Sequence, residues 1–349
     1  MKIAVISSQV FAVPPPGYSG LEMVAYYCAK GLAQLGHQVS LIAPYGSICP
    51  GVDVISCGPP GQWDEKKGFD HYWKRLFQFD CLIDHSWQKF PYLLKQEGVL
   101  KNETTGREIP SLGVLHAPVN SMYGSLPPVE FPCMVCISKD QANHFEALHN
   151  RPARVCYNGV DGEIYRPLGI PRTDRFLFCG RFSTIKGGEI GIQACKKAGV
   201  PLDLIGDCSI TNEPDYLARC QKECDGKQIR MLGGQGRGSC VWWMSQANAF
   251  IHPARDFREP FGLAPVEAQL AGLPCITFDN GAMRETVKDG ETGRVVKTVD
   301  QFVEALKEYA PPVSQKTRER CREWAMQFSV QAMAKRYEQL CEEAISGGW

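Results

Sequence analysis

Two glutamates stand eight positions apart, Glu259 and Glu267, in the segment "REPFGLAPVE". The first falls in a predicted loop after an apolar strand, and the second falls inside the predicted helix that follows. A helix rises 1.5 Å per residue, so Glu267 is expected about 7 Å along it. Carboxylates accept paired hydrogen bonds from vicinal hydroxyls, so these two could hold two parts of one elongated ligand, such as a sugar and a ribose. The alternative is two surface glutamates, one of them favourable to the helix dipole.

Two cations share a second loop, "GRFSTIKGG", which spans residues 180–188 between a predicted strand and a predicted helix. Arg181 can grip phosphate oxygens through two parallel hydrogen bonds, and Lys186 adds a mobile charge. Ligands of open parallel sheets bind at the carboxyl ends of the strands. The loop therefore predicts a diphosphate site, and a solvated basic turn is the alternative.

Three further loops follow strand-like segments in the first half of the chain. "PPPGYSGLE" places Gly17 and Gly20 before a helix, where free N–H groups favour an anion. "LGVLHAP" ends a strand with His116, and "DHSWQ" ends another with Asp84 and His85. By residue type alone, a histidine at the end of a strand is more often a structural hydrogen-bonding group than a catalyst.

The composition is that of an ordinary globular protein, and the chain has no net charge that would create an overall electrostatic field. Of 349 residues, 44% are hydrophobic and 22% charged, and Lys+Arg and Asp+Glu both number 38. A neutral chain offers no overall attraction for nucleic acid or an anionic membrane, so any anion site must be local. No apolar run approaches the roughly 20 residues of a membrane span. The start reads as a first strand, not a signal peptide, and the cytoplasm is the expected location.

Sixteen cysteines are scattered along the chain, mostly inside apolar segments, where they are expected to act as small buried hydrophobes. One C-x-x-C pair is present, Cys133 with Cys136, and no second ligand pair follows at zinc spacing. We therefore expect no metal site there, and no disulfides.

Strand and helix patterns alternate along the chain, which predicts parallel, doubly wound sheets. They are too many for one sheet, and turn residues and prolines interrupt them at 157–174. The sequence thus predicts an α/β chain with two Rossmann-like domains, 1–165 and 172–312, facing a cleft. Residues 313–349 are predicted to be helical and to cross back to the first domain. The basic, aromatic stretch 65–77 could contact a membrane, although an amphipathic helix with inward aromatics is the simpler interpretation.

Taken in order, these motifs resemble the retaining glycosyltransferases of family 4, which have the GT-B fold, over nearly the whole chain. "EPFGLAPVE" matches their E-x7-E motif and "GRFSTIKGG" their G-R-x-x-x-x-K-G loop. "YSGLE" with "GLAQLGHQV" is similar to their G-G-x-E start, and "ISKDQANHF", "YNGVD" and "MRETVKDGETGRVV" fit later stretches. The opening "PPPGYSGLE" looks like a subgroup with P-P-x-x-Y-G-G-x-E, in which Ser19 replaces the first glycine.

The resemblance implies a role for each matching residue. Cationic Arg181 and Lys186 neutralise the diphosphate of the donor. Sugar hydroxyls bind Glu259, and the ribose binds Glu267. The remaining positions hold the sugar and the phosphates: N–H groups around Phe261, Gly262 and Leu263, the strand-end His116, and Gly20 from the first domain.

The implied reaction is transfer of a hexose from a nucleotide-diphosphate sugar to an acceptor hydroxyl, with retention, and without a metal or cofactor. UDP-glucose is the first expectation for the donor and GDP-mannose the second. The motifs do not identify the acceptor, which could be a saccharide, a lipid or a small molecule. Alternatives are a GT-B epimerase, hydrolase or phosphorylase, or a non-catalytic protein that binds sugar nucleotides. Retention is expected from front-face attack, with the leaving phosphate accepting the proton of the acceptor hydroxyl.

Overall fold

The computed structural model describes residues 1–15, 17, 19–119, 133–209 and 212–349. The chain divides into two compact units. The first comprises residues 1–160 together with 328–349, and the second comprises residues 161–327.

A seven-stranded parallel sheet forms the centre of the first unit. Its order is β3-β2-β1-β4-β5-β6-β7, so the chain order reverses between β1 and β4. The strands, numbered along the chain, are β1 Lys2–Ile6, β2 Gln38–Ala43, β3 Asp53–Ser56, β4 Cys81–Asp84, β5 Ser111–Leu115, β6 Cys133–Cys136 and β7 Arg154–Val155. The β4 strand is buried throughout, as expected for a central strand covered on both faces.

Five helices accompany this sheet in the described part of the first unit. They are α1 Gly20–Gln34, α2 Lys66–Tyr72, α3 Pro91–Gln96, α4 Lys139–His149 and, from the end of the chain, α12 Val330–Ile345. Ser138 begins α4 by accepting a hydrogen bond from the backbone N–H of Gln141 at 3.1 Å. The long α12 packs against α1.

A six-stranded parallel sheet forms the second unit in the order β10-β9-β8-β11-β12-β13, with a reversal between β8 and β11. Its strands are β8 Phe176–Cys179, β9 Leu202–Ile205, β10 Ile229–Met231, β11 Ala249–His252, β12 Cys275–Phe278 and β13 Gly293–Val296. Its helices are α5 Gly188–Ala198, α6 Pro214–Lys222, α7 Arg237–Gln246, α8 Leu263–Leu270, α9 Met283–Thr286, α10 Val299–Glu308 and α11 Gln315–Ala325. Stacked Phe278 and Phe302, with ring centroids 4.9 Å apart, lie in its core.

The fold class predicted from the sequence, two Rossmann-like parallel sheets, is confirmed. The unit limits differ from the expected 165, 172 and 313, because the helical tail divides between the units. Helix α11 packs on α8 of the second unit, and only residues 328–349 join the first. The first unit resumes at Phe328, directly before Ser329, whose side chain caps α12 by accepting from the N–H of Ala332.

Local differences from the predicted elements arise where a short pattern was ambiguous. The stretch 65–77, interpreted from its sequence as one amphipathic helix, forms α2 followed by a 3₁₀ segment, Trp73–Gln78. In the stretch 65–77, Phe69, Tyr72 and Leu76 are buried, which corresponds to the amphipathic interpretation. Within the described residues, no helix has the length and apolarity needed to span a membrane.

The sixteen cysteines are all free thiols, and fourteen of them are buried. Cys133 and Cys136 lie in β6, and burial raises the pKa of both, that of Cys136 to about 12. A protonated buried thiol is a poor metal ligand and a poor nucleophile. Across the described residues, no group of three or more His, Cys, Asp or Glu side chains could hold a metal ion.

Candidate active site

The best-developed polar cluster of the second unit lies at the point where its strand order reverses. The loop after β8 carries Arg181 and Lys186, and the loop after β11 carries Glu259. Because β8 and β11 are parallel neighbours, their carboxyl ends meet at one edge of the sheet. Open α/β sheets bind ligands at such a reversal.

An ion pair joins the two loops. The ammonium of Lys186 contacts Oε2 of Glu259, and both side chains are largely buried, with 16% and 10% of their surface exposed. The same Oε2 atom lies 3.2 Å from Nε2 of His252, the last residue of β11. Lys186 also lies over the ring of Phe257, with its nitrogen 5.1 Å from the ring centroid.

Charge within this cluster keeps Glu259 ionised. Burial by itself raises the pKa of a carboxyl. At Glu259 the positive charge of Lys186 and the hydrogen bond with His252 outweigh burial, and the pKa lies well below its usual range. Burial also lowers the pKa of His252, with Lys186 acting in the same direction and Glu259 against it. A carboxylate beside a neutral imidazole is the resulting state at neutral pH.

The half-buried Arg181 is a cation available for a ligand. Within the described part of the chain, its guanidinium has no hydrogen bond or ion pair. The loop is shaped for the approach of Lys186, because Gly187 has a φ of +69° and a Cβ there would lie 2.1 Å from the carbonyl oxygen of Pro253. Lys186 is thereby brought beside the loop of Glu259.

The start of helix α8 is built on two glycines with positive φ. Gly262, at φ +87°, directly precedes Leu263, the first residue of α8. Gly281, at φ +65°, lies against the backbone of Glu259, where a Cβ would be 2.2 Å from the carbonyl oxygen. Phe261 is buried, which anchors the turn. The first N–H groups of a helix have no partner within it and can bind an anion.

Glu267 lies five residues into α8, as the spacing predicted. Burial raises its pKa, against the lowering effects of a hydrogen bond with Tyr165 and the charge of Arg237. It therefore has different neighbours from Glu259. The two carboxylates belong to one helix start but to separate polar environments, which excludes a shared-proton pair.

In the first unit, Gly20 is the first residue of α1. Ser19, which replaces a glycine of the similar motif, donates its hydroxyl to Oε2 of Glu22. The other oxygen of Glu22 accepts from the hydroxyl of Ser8 at 2.5 Å. Glu22 is buried, so this carboxylate ties the loop after β1 to the start of α1.

His116 directly follows β5 and is half-buried, whereas His85 directly follows β4 and is fully buried. Nδ1 of His85 lies 2.8 Å from Nε2 of His116. Burial and the nearby charge of Lys89 lower the pKa of His116 to about 3 and hold that of His85 well below its usual range. Both imidazoles are therefore neutral at pH 7.

A buried lysine lies under this pair. The ammonium of Lys89 donates to the carbonyl oxygens of Asp84, at 2.9 Å, and of Ser86. Asp84 accepts from both the backbone N–H and the hydroxyl of Ser86. Nearby Glu65 accepts from the N–H of Gln88 at 2.7 Å, and its burial raises its pKa to about 7.

The structure therefore brings Lys186 and Glu259 into contact, with Arg181 in the same loop as Lys186. It places Glu267, Gly20 and His116 in other polar settings. Neither His252 nor Tyr165 was predicted from the sequence. His252 could have been noted, because it ends a strand seven residues before Glu259, but no local pattern signals the long-range contact of Tyr165 with Glu267.

Fold comparisons define the class of this protein. AviGT4, a glycosyltransferase involved in avilamycin A biosynthesis, aligns with a TM-score of 0.74 over 99% of this chain and 98% of its own, at 22% identity. HepE of Anabaena, solved with UDP-glucose, aligns with a TM-score of 0.70 over 99% of this chain and 100% of its own, at 18% identity. The chain has the GT-B fold of glycosyltransferases.

Sequence comparisons show similarity to the same class of enzyme. Residues 163–327 match the model of the family "Glycosyl transferases group 1". The D-inositol 3-phosphate glycosyltransferase 1 of Catenulispora acidiphila is 26% identical over 86% of this chain and 84% of its own. Mycobacterial D-inositol 3-phosphate glycosyltransferases are 30–31% identical over half of this chain. The matched region spans less than half of the length of those relatives. Residues 163–327 are therefore similar to the glycosyl transferases of group 1, and the chain is similar to a glycosyltransferase over most of its length.

Proposed function

We propose that this protein is a retaining hexosyltransferase, which moves a hexose from a nucleotide-diphosphate sugar to an acceptor hydroxyl. The donor lies at the carboxyl edge of the second sheet. The observation that carries the proposal is the ion pair of Lys186 with buried Glu259. Arg181 lies in the same loop as Lys186 and has no hydrogen bond or ion pair of its side chain among the described residues. Together these side chains offer cations for a diphosphate and a carboxylate for hydroxyls within two adjacent loops.

Charge explains how this cluster favours the reaction. Cleavage of the sugar–phosphate bond builds negative charge on the leaving diphosphate. Preorganised cations and helix N–H groups stabilise such charge without reorganisation. Arg181, Lys186 and the start of α8 supply them, and Glu259 stays ionised to accept hydrogen bonds from sugar hydroxyls.

The remaining residues receive the roles that the family resemblance gives them. Glu267 accepts from the ribose hydroxyls, and its bond to Tyr165 fixes its orientation. Gly20 allows close approach of the diphosphate, and His116 contacts the donor sugar. No residue is assigned as a general base, because the leaving phosphate is proposed to take the acceptor proton.

UDP-glucose is the proposed donor and GDP-mannose the next choice. The solved HepE of Anabaena, which shares the fold, was captured with UDP-glucose, and this supports the choice of a uridine nucleotide. Relatives act on D-inositol 3-phosphate by name, which makes a phosphorylated polyol one acceptor class for screening. The cytoplasmic location and the absence of a metal requirement stay predictions.

A donor screen tests the proposal. UDP-, GDP- and ADP-sugars are each added to the protein, and the thermal midpoint and the release of nucleotide are measured with and without candidate acceptors. A bound donor raises the midpoint by mass action. The winning donor is then used to determine the anomeric configuration of the product by NMR.

Arg181→Ala is expected to weaken donor binding about 10- to 100-fold, because hydrogen bonds to charged groups contribute about 1.5–3 kcal/mol. Glu259→Ala should abolish most turnover. Arg320→Ala, at an exposed position of α11, is the matched control and should leave both unchanged. Unchanged binding in Arg181→Ala contradicts the site, and a flat midpoint with every nucleotide sugar contradicts the function. Turnover without any acceptor points to a hydrolase or epimerase.

A further inference from the structure

The imidazole pair of the first unit constrains the tautomer of His116. Only one proton can lie in the 2.8 Å hydrogen bond between Nδ1 of His85 and Nε2 of His116. Both rings are neutral, because burial and the charge of Lys89 lower the two pKa values. Each ring therefore carries one N–H group, and one ring donates to the other.

Burial decides which ring donates. Nε2 of His85 is buried and has no hydrogen-bond partner among the described residues. If His85 accepted through Nδ1, its proton would sit on Nε2 as an unpaired buried N–H group. Among buried backbone groups, orphaned N–H donors are rarer than under-satisfied acceptors. Applied to this imidazole, the same reasoning makes the state with the proton of His85 on Nδ1, pointing at His116, the one of lower cost.

This assignment fixes the tautomer of His116. Because Nε2 of His116 accepts, its own proton must reside on Nδ1. His116 is the more exposed of the two residues. It therefore offers an N–H donor from Nδ1, in a ring whose orientation is fixed from behind by His85.

The imidazole of His85 is held in place by contacts of its own. The ring of Tyr337, from α12, packs edge-on against His85 with centroids 5.9 Å apart. The backbone N–H of His85 donates to the carbonyl oxygen of Ile6 at 2.8 Å. The ammonium group of Lys89 donates to the carbonyls of Asp84 and Ser86, and its charge lowers the pKa of both rings.

We propose that His85 is a positioning residue for His116. It donates its Nδ1 proton to Nε2 of His116 and so presents Nδ1–H of His116 as the hydrogen-bond donor to a hydroxyl of the donor sugar. The inference rests on the proposed contact between His116 and that sugar, but the tautomer can be measured without it.

Two substitutions of similar shape test the hydrogen bond by itself. In His85→Asn the amide nitrogen can occupy the place of Nδ1, whereas in His85→Leu no donor is present. Loss of the orienting hydrogen bond behind a metal-ligating histidine typically costs about 10- to 100-fold, and a loss of similar size is expected here. We expect His85→Leu to lower kcat/KM by about 10- to 100-fold and His85→Asn to recover most of that loss. Far-UV circular dichroism and thermal midpoints show whether both variants fold.

The tautomer supplies a readout that does not depend on activity. In ¹⁵N-histidine-labelled protein, His116 is expected to show a protonated Nδ1 and an unprotonated Nε2, and to become a tautomer mixture in His85→Leu. The variant His116→Ala assigns the signal. A protonated Nε2 in the unmodified protein overturns the inference, as does equal activity of the Leu and Asn variants.

Failure of the proposed function gives a different result. If His116→Ala retains full transferase activity, His116 has no role at the sugar, whatever its tautomer. If His116→Ala is impaired, adding His85→Leu should cause little further loss, since both changes remove one interaction. Additive losses contradict the positioning role of His85.

Discussion

At the scale of single residues, the pKa values of two buried carboxyls, Glu259 and Glu65, are shifted in opposite directions. Glu259 is held ionised because Lys186 and His252 outweigh burial. Glu65 lies almost fully buried with hydrogen bonds from the N–H groups of Gln88 and Trp87, and these do not outweigh burial. The difference comes from a direct cationic partner, which Glu259 has and which an N–H donor replaces only in part.

This difference predicts a pH effect for Glu65→Gln. The folded pKa of Glu65, about 7, lies above the usual value near 4.5, so the folded state binds the proton more tightly. Stability that depends on this proton is present at low pH and is lost as pH rises from about 4.5 to about 7. Relative to the unmodified protein, the Gln variant should gain roughly 2–3 kcal/mol of unfolding free energy between pH 5 and pH 8.

Urea unfolding at pH 5 and pH 8 measures the effect. The control is Glu97→Gln, at an exposed position just after α3, which should show no such difference between the two pH values. An identical pH dependence in all three proteins would mean that Glu65 ionises at its ordinary pKa. The sequence offered no sign of Glu65, because its burial depends on the packing of loops distant along the chain.

At the scale of elements, the position of Glu259 depends on a glycine outside its own loop. Gly281, after β12, has φ +65° and lies against the backbone of Glu259, whose carbonyl accepts from the N–H of Ala282 at 2.9 Å. Gly290 has a similar φ of +77° but open space around a Cβ. Comparing substitutions at Gly281 and Gly290 therefore separates the cost of backbone strain from the cost of a clash with the backbone of Glu259.

We expect Gly290→Ala to cost about 1–2 kcal/mol of stability through left-handed strain alone. Gly281→Ala should cost a further 1–3 kcal/mol, roughly, because the loop of Glu259 must shift. Thermal unfolding measures both, and a donor thermal shift should be lost in Gly281→Ala and kept in Gly290→Ala. Equal effects of the two substitutions would show that Gly281 does not position the site.

At the scale of the whole molecule, the chain leaves the first unit at residue 160 and returns to it at residue 328. The return is secured by α12, which packs on α1 so closely that a Cβ at Gly31 would lie 2.8 Å from Cβ of Ala334. A bridge between Val160 and Ser329 joins the exit and the return. Residues 328–349 are therefore part of the first unit together with residues 1–160.

This packing predicts opposite effects for two helical glycines. Gly31→Ala should destabilise the protein by about 1–3 kcal/mol, since overpacking exceeds the gain in helix propensity. Gly238→Ala, in α7 with nothing within 4 Å of a new Cβ, should be neutral or stabilise by up to about 1 kcal/mol. Urea unfolding gives both values, and a stabilised Gly31→Ala variant would refute the close α1–α12 contact.

The sequence by itself determined the fold class and the location of the candidate site. Alternating strand and helix patterns specify parallel sheets, and loops after parallel strands lie at one edge, so Arg181, Lys186 and Glu259 could be placed from local pattern. The family resemblance then supplied their roles, which stay proposals.

Only the tertiary structure decided which groups share a proton or a charge. The ion pair of Lys186 with Glu259 spans 73 positions, and the bond of His85 with His116 spans 31. Such contacts depend on the order of strands in the sheet, and the pKa values depend on burial by residues far along the chain. Neither the long-range contacts nor the pKa values are properties of a local segment, so neither could be predicted from the sequence alone.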